Sequence, residues 1–95
     1  MRRHAMTAEE AEAIALAGLA VLADQPERIG RFLSVSGVAP GDIRTLAATS
    51  AFQAAVLTHI RADESLLLVF AAQLDIDPAT VGDAEAKLSG QPVRG

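Results

Sequence analysis

Residues 63–78 read Asp-Glu-Ser-Leu-Leu-Leu-Val-Phe-Ala-Ala-Gln-Leu-Asp-Ile-Asp-Pro, an apolar run between two aspartates. Asp63 can accept hydrogen bonds from the free N–H groups of a first helical turn. Proline is tolerated at the first position of a helix, where its missing N–H would be unpaired, so Pro78 can begin the next helix. The stretch therefore predicts one short helix followed by the beginning of another. Similar starts occur elsewhere in the chain, at Thr7-Ala8-Glu9-Glu10, Asp24-Gln25-Pro26-Glu27, Ala39-Pro40 and Ser50-Ala51.

These starts predict a compact, all-α orthogonal bundle of five or six short helices. The expected helices run over residues 8–23, 26–36, 40–48, 51–62, 64–74 and 78–88. The helix over 64–74 is expected to lie near the centre of the bundle, because its apolar residues face every direction. The predicted core residues are Phe32, Phe52, Leu57, Leu67 and Phe70.

A shift of 38 residues aligns parts of the chain with one another. It places Phe32 on Phe70 and Pro40 on Pro78, and the apolar neighbours of both prolines also coincide. The pattern suggests two pseudo-repeats of a three-helix unit.

Length and composition limit the class of protein. Ninety-five residues suffice for one domain, expected over residues 7–89, with flexible tails at 1–6 and 90–95. The chain contains no cysteine, which excludes disulfides and thiolate-bound metals. A net charge of −4 makes nucleic acid an unfavourable partner.

The N-terminal region predicts neither a secretion signal nor a membrane anchor. Acidic residues Glu9, Glu10 and Glu12 separate Arg2-Arg3 from the apolar run 13–23, where a signal peptide avoids acids. The run is also too short to span a bilayer. We expect a cytoplasmic protein.

Two helices carry more apolar side chains than one core needs. Residues 13–23 and 66–72 are uninterruptedly apolar, so some of these side chains must face outward. Alanine on the outer face is one explanation, since it costs little there. The other is that part of the surface is a homodimer or partner interface.

Two sets of side chains could carry chemistry. His59 borders the apolar stripe of its helix, but no nucleophile pattern accompanies it, so a structural histidine is the expected role. His4 lies in the predicted tail. Arg28 and Arg31 could bind an anion or an acidic partner if they converge, although a local pair between Glu27 and Arg31 is the expected arrangement.

The acidic residues do not form a metal-binding pattern. A calcium loop starting at Asp75 would need glycine at its sixth position and glutamate at its twelfth, where this chain has Thr80 and Ala86. Asp63 and Asp77 are explained as helix caps. No catalytic, cofactor-binding or metal-binding residue is therefore predicted, and no cofactor or small-molecule substrate is implied.

Residues 71–88 have the spacing of a helix-turn-helix motif. The second helix would enter the major groove of DNA. It carries Asp83 and Glu85 against a single Lys87, however, and Asp75 replaces the usual glycine of the turn. An acidic regulator that contacts DNA is therefore kept as the alternative function.

The order of the motifs resembles a known family. Asp24-Gln25-Pro26-Glu27-Arg28, then Asp63-Glu64-Ser65-Leu66-Leu67, and finally Asp77-Pro78 resemble the small bacterial helical proteins called domain of unknown function 3572. The resemblance covers about residues 8–88 and implies no catalytic residue. Asp75 stands where glycine is expected in that family. The leading hypothesis is a non-enzymatic protein-protein interaction module, acting as a homodimer or a small adaptor.

Overall fold

The computed structural model describes residues 6–90, and all regular structure within them is helical. The all-α prediction is confirmed. The helices are α1 (Ala8–Ala23), α2 (Pro26–Ser36), α3 (Ile43–Leu46), α4 (Ser50–Arg61), α5 (Glu64–Leu74) and α6 (Pro78–Leu88), with a 3-10 turn, Pro40–Asp42, leading into α3.

Side chains placed at the starts of the helices explain most of these boundaries. Thr7 and Glu10 form a capping box, in which each side chain accepts a hydrogen bond from the other residue's backbone N–H. Asp63 accepts a bond from Leu66 N at 3.2 Å, and Asp77 one from Ala79 N at 2.8 Å. Proline at the start of α2 and α6 loses no helical hydrogen bond there.

The central helix is α4, so the expectation that α5 lies at the centre is wrong. Six of the twelve residues of α4 are buried, and the helix packs against α1, α2, α5 and α6. By contrast α5 buries Leu66, Phe70 and Ala71 and leaves two large apolar side chains exposed. The uninterrupted apolar run of α5 wrongly predicted a central position, because it reports composition only. The position of a helix depends on the elements that pack around it.

The core agrees with most of the sequence prediction. Phe32, Phe52, Leu57 and Phe70 are buried, and Leu67 is partly buried against them. Other fully buried large side chains are Leu22, Val56, Ile60 and Val81.

A glycine lets α1 pack closely against α4. A Cβ atom on Gly18 would lie 2.7 Å from Ile60 Cδ1 and 3.3 Å from Val56 Cγ1. No ordinary side chain fits at that distance without a shift in the core. Gly18 therefore lets α1 approach α4 more closely than a larger residue would without displacing the Ile60 side chain.

Polar side chains join α4 to its neighbours at two points. Gln53 is buried, and its amide donates to Ala47 O at 2.8 Å and to Glu12 Oε2 at 3.3 Å. On α6, the Glu85 carboxylate accepts from both Thr58 and Arg61. These bonds fix α4 relative to α1, α3 and α6.

The helix boundaries agree with the suggested repeat. A shift of 38 residues places Pro26–Ser36 on Glu64–Leu74, both eleven residues long. It also places Gly37 on Asp75, and both residues end their helices in the left-handed conformation, with φ of 74° and 56°. The two halves of the chain therefore have the same order of elements, although α6 is longer than its counterpart α3.

The predicted tails fall mostly outside the described residues, which include only Met6 and Gly90 of them. Met6 is partly buried against the core. Within residues 6–90, no single helix has the length and apolar composition needed to cross a membrane. Only α5 and α6 together reach these limits, and they meet at a bend of 96°.

Candidate docking groove

An open groove of about 340 Å³ lies between α2 and α4. Phe32 lies at its floor, and Val35 forms its edge with 75% of its surface exposed. The remaining lining residues are Ser36, Ala55, Thr58, His59 and Ala62. The walls are mostly hydrocarbon, and no described segment of the chain covers them.

His59 is held at one side of this groove by aromatic contacts. Its ring and that of Phe32 pack in a T-shaped arrangement, with a centroid distance of 5.2 Å and an interplanar angle of 66°. Phe32 in turn contacts Phe52 at 5.6 Å. The imidazole has no hydrogen-bond partner within residues 6–90, so packing alone sets its position.

A second cavity, of about 200 Å³, adjoins the groove and shares His59 with it. Arg28 and Arg31 line it together with His59, so the two arginines converge on one cavity. The other lining residues are Gln25, Glu27, Asp63 and Leu66. An apolar groove is thus continuous at His59 with a polar cavity, which is lined by two arginines and two carboxylates.

Neither arginine forms an ion pair or a hydrogen bond with another residue in the described part of the chain. The expected local pair between Glu27 and Arg31 does not form, and the ion pair found there joins Arg61 to Glu85. The Asp63 carboxylate caps α5 instead of reaching an arginine. The guanidinium groups of Arg28 and Arg31 therefore keep their hydrogen-bond donors available.

The 38-residue shift relates the groove to a second cleft elsewhere in the molecule. A cleft of about 210 Å³ lies between α1 and α5, lined by Ala20, Val21, Asp24, Arg28 and Gln73. Four of these residues stand 38 positions from a groove residue, in the pairs Val35 with Gln73, Thr58 with Ala20, His59 with Val21, and Ala62 with Asp24.

This counterpart shows which groove residues the fold needs. Gln73 and Asp24, at the shifted positions of Val35 and Ala62, are polar, and Val35 and Ala62 are themselves exposed, so neither contributes a buried side chain to the core. Phe32 and its equivalent Phe70 are both buried, which marks them as core. The apolar edge at Val35 is therefore not a requirement of folding.

A second apolar surface lies on α5. Leu68 is 51% exposed and Val69 is 47% exposed, whereas Phe70 on the same helix is buried. On α1, by contrast, Leu16 is 40% exposed among alanines. The excess apolar character of the sequence thus appears at the surface of both helices, most strongly on α5.

The acidic residues of α5 and α6 act as structural groups. Asp63 and Asp77 cap their helices as expected, and Glu85 accepts hydrogen bonds from α4. Within residues 6–90, no three histidine, aspartate or glutamate side chains converge in a way that could hold a metal ion.

The helix-turn-helix alternative has a suitable angle and an unsuitable second helix. The bend of 96° and the three-residue turn between α5 and α6 resemble the motif. Yet α6 packs against α1 and α4, and within it Ala79 and Lys87 are the exposed residues. Helix α6 therefore lacks the free surface that a recognition helix needs.

Sequence reasoning located Arg28, Arg31 and His59 but did not bring them together. The three residues lie on two helices that are distant in the chain, and their convergence depends on the packing of α2 against α4. The groove edge could have been found from the repeat, because aligning Val35 with Gln73 exposes the difference in polarity.

The fold and the groove define a small all-helical protein with an open apolar groove between α2 and α4. The chain belongs to the DUF3572 family, described as a protein of unknown function, whose model matches residues 8–91. The resemblance noted in the sequence is thereby confirmed. No curated protein and no solved structure matches the chain significantly.

Proposed function

We propose that this protein is a non-enzymatic protein-protein interaction module, of cytoplasmic location, whose docking surface is the groove between α2 and α4. The observation that carries the proposal is Val35. This side chain is exposed and apolar at a position where the other half of the molecule has Gln73. Together with the hydrocarbon walls of the groove it forms one contiguous apolar patch, and such a patch supports contact with another molecule.

The form of the groove supports a protein partner. Val35 and Ala62 lie on either side of it, so a partner would contact α2 and the end of α4 together. The groove is open along its edge, as expected for a site that accepts a helix or an extended segment. The adjoining arginines add a polar rim, which interfaces commonly have.

The surroundings of His59 give less support to an enzyme. A general base needs hydrogen-bonded contact with an acid or a nucleophile. His59 instead contacts Phe32, and Asp63 is engaged as a helix cap. We therefore assign His59 a packing role at the junction of the two cavities.

The experiment that tests this function compares the groove with an exposed position outside it. A photo-crosslinking amino acid replaces Val35 in one variant and Leu16, on α1, in a control variant, and both are irradiated in the cells that produce the protein. Both positions are exposed, so neither change should disturb the fold. We expect a discrete protein adduct from position 35 and none from position 16.

The adduct is identified by mass spectrometry, and its binding is repeated with purified components. Wild-type protein should bind and Val35→Asp should not. No adduct at position 35, or the same adducts at both positions, would refute the proposed function.

A further inference from the structure

The exposed face of α5 has the same spacing as the groove edge on α2. Arg31 and Val35 are four residues apart on α2, and Glu64 and Leu68 are four residues apart on α5. All four are exposed. Residues four apart occupy one side of a helix, about 6 Å from each other along the axis.

The order of charge and hydrophobicity also agrees. On both helices the charged residue precedes the apolar one, and the charges are opposite. If α5 of one molecule lies parallel to α2 of another, Glu64 meets Arg31 while Leu68 meets Val35. One contact would then cover the groove edge and the α5 surface together.

We propose that the occupant of the groove is α5 of a second copy of this chain, placed with Leu68 against Val35 and Glu64 against Arg31. The inference rests on the proposed function and names its partner. The guanidinium groups of Arg28 and Arg31, free within residues 6–90, donate hydrogen bonds to the incoming carboxylate. Reciprocal docking of α5 between two copies fills both grooves and closes the assembly as a dimer.

Charge reversal gives the decisive test. In the Arg31→Glu variant, two acidic residues face each other at each contact between position 31 of one copy and position 64 of the other. In the Glu64→Arg variant, two basic residues face each other there. The double variant reverses the two charges together, so each contact again joins opposite charges. In a mixture of the two single variants, the heterodimer also joins opposite charges at both of its contacts. Mass in solution is measured by light scattering and sedimentation over about 10 µM to 1 mM, the range of weak interfaces.

We expect wild-type protein to reach dimer mass within this range. Each single variant should dimerise about tenfold more weakly or worse, because attraction becomes repulsion in both contacts. The double variant and the mixture should recover dimerisation. At about 1 M salt the difference between the variants should shrink, since exposed charges are then screened.

Apolar variants supply a matched control. Leu68→Asp should abolish dimerisation, whereas Leu16→Asp, at a comparably exposed leucine on α1 outside the proposed contact, should leave it unchanged. Circular dichroism establishes that both variants remain folded.

Three results would overturn the inference: a monomer at every concentration, no recovery in the double variant, or equal effects of the two leucine variants. Failure of this inference can be distinguished from failure of the proposed function. An adduct at position 35 with a different protein, together with a monomeric purified chain, retains the interaction module and rejects the second copy. Absence of any adduct together with a monomeric chain rejects both.

Discussion

Asp75 occupies a backbone conformation that usually belongs to glycine. Its φ is 56°, and the turn is closed by two bonds, from Asp75 N to Ala72 O and from Ile76 N to Ala71 O. This is the Schellman arrangement in which glycine avoids a steric penalty. The aspartate therefore keeps the geometry that glycine would give, at some cost in stability.

Replacing this residue tests that cost. Asp75→Gly should raise the free energy of unfolding by about 1 kcal/mol, because the left-handed strain disappears. Gly37→Ala, at the equivalent position, should lower it by about 1 kcal/mol. Thermal and urea unfolding followed by circular dichroism measure both, since the chain has no tryptophan or tyrosine for fluorescence. A destabilised Asp75→Gly would show that the aspartate side chain outweighs its strain.

Gly18 and Gly30 form a matched pair inside helices. A Cβ on Gly18 would press on Ile60, whereas a Cβ on Gly30 would meet nothing within 4 Å. Gly18→Ala should therefore lower stability by about 1 kcal/mol, despite the better helix propensity of alanine. Gly30→Ala should raise stability by about 0.5–1 kcal/mol. Equal shifts in the two unfolding curves would contradict the close α1–α4 packing.

Individual elements were the most predictable level of the structure. The boundaries of α1, α2, α5 and α6 follow from capping residues and prolines, because hydrogen bonds of the first turn depend on local sequence. The position of α5 was not predictable in this way. Leu68 and Val69 suggest burial by composition, yet whether a neighbour covers them depends on the rest of the fold.

The groove, like the position of α5, depends on how distant helices pack and not on local sequence. His59 is visible in the sequence as the edge of an apolar stripe, but its contact with Phe32 joins α4 to α2. Pairing of distant helices depends on shape and packing, which a single sequence reports only weakly. The repeat is the exception, since it relates distant positions by a fixed shift.

Gln53 tests how α4 is joined to the elements before it. Its buried amide is the donor to Ala47 O, the carbonyl just after α3. Gln53→Ala should lower the free energy of unfolding by about 1–2 kcal/mol, because that carbonyl loses its partner. Gln73→Ala, on the exposed side of α5, should change it by less than about 0.5 kcal/mol. Similar values for the two variants would show that the buried bond contributes nothing.

At the scale of the whole molecule, the two halves of the chain share an order of helices and carry different surfaces. The groove between α2 and α4 is apolar, and the equivalent cleft between α1 and α5 carries Asp24 and Gln73. The shared parts are the buried ones, such as Phe32 and Phe70. Folding thus explains what the halves have in common, and the proposed docking would explain where they differ.

This difference predicts a separation of stability from binding. Val35→Gln introduces the residue that the other half already has at the equivalent position. The unfolding temperature should stay the same or rise slightly, because Val35 is exposed and glutamine favours helices more than valine. Crosslinking from a neighbouring groove position and association in solution should both be lost. A large loss of stability would show that Val35 is needed for the fold.

The contrast between the α2–α4 groove and the α1–α5 cleft also bears on how many partners one chain could receive. Two equal apolar grooves would let each chain receive two partners, and such chains could be joined into open networks that grow without limit. Because Asp24 and Gln73 line one cleft, only the groove between α2 and α4 offers an apolar site for the proposed docking. When the proposed docking is reciprocal, each pair uses both of its grooves and both of its α5 surfaces, so assemblies should have a fixed stoichiometry and remain soluble as concentration rises.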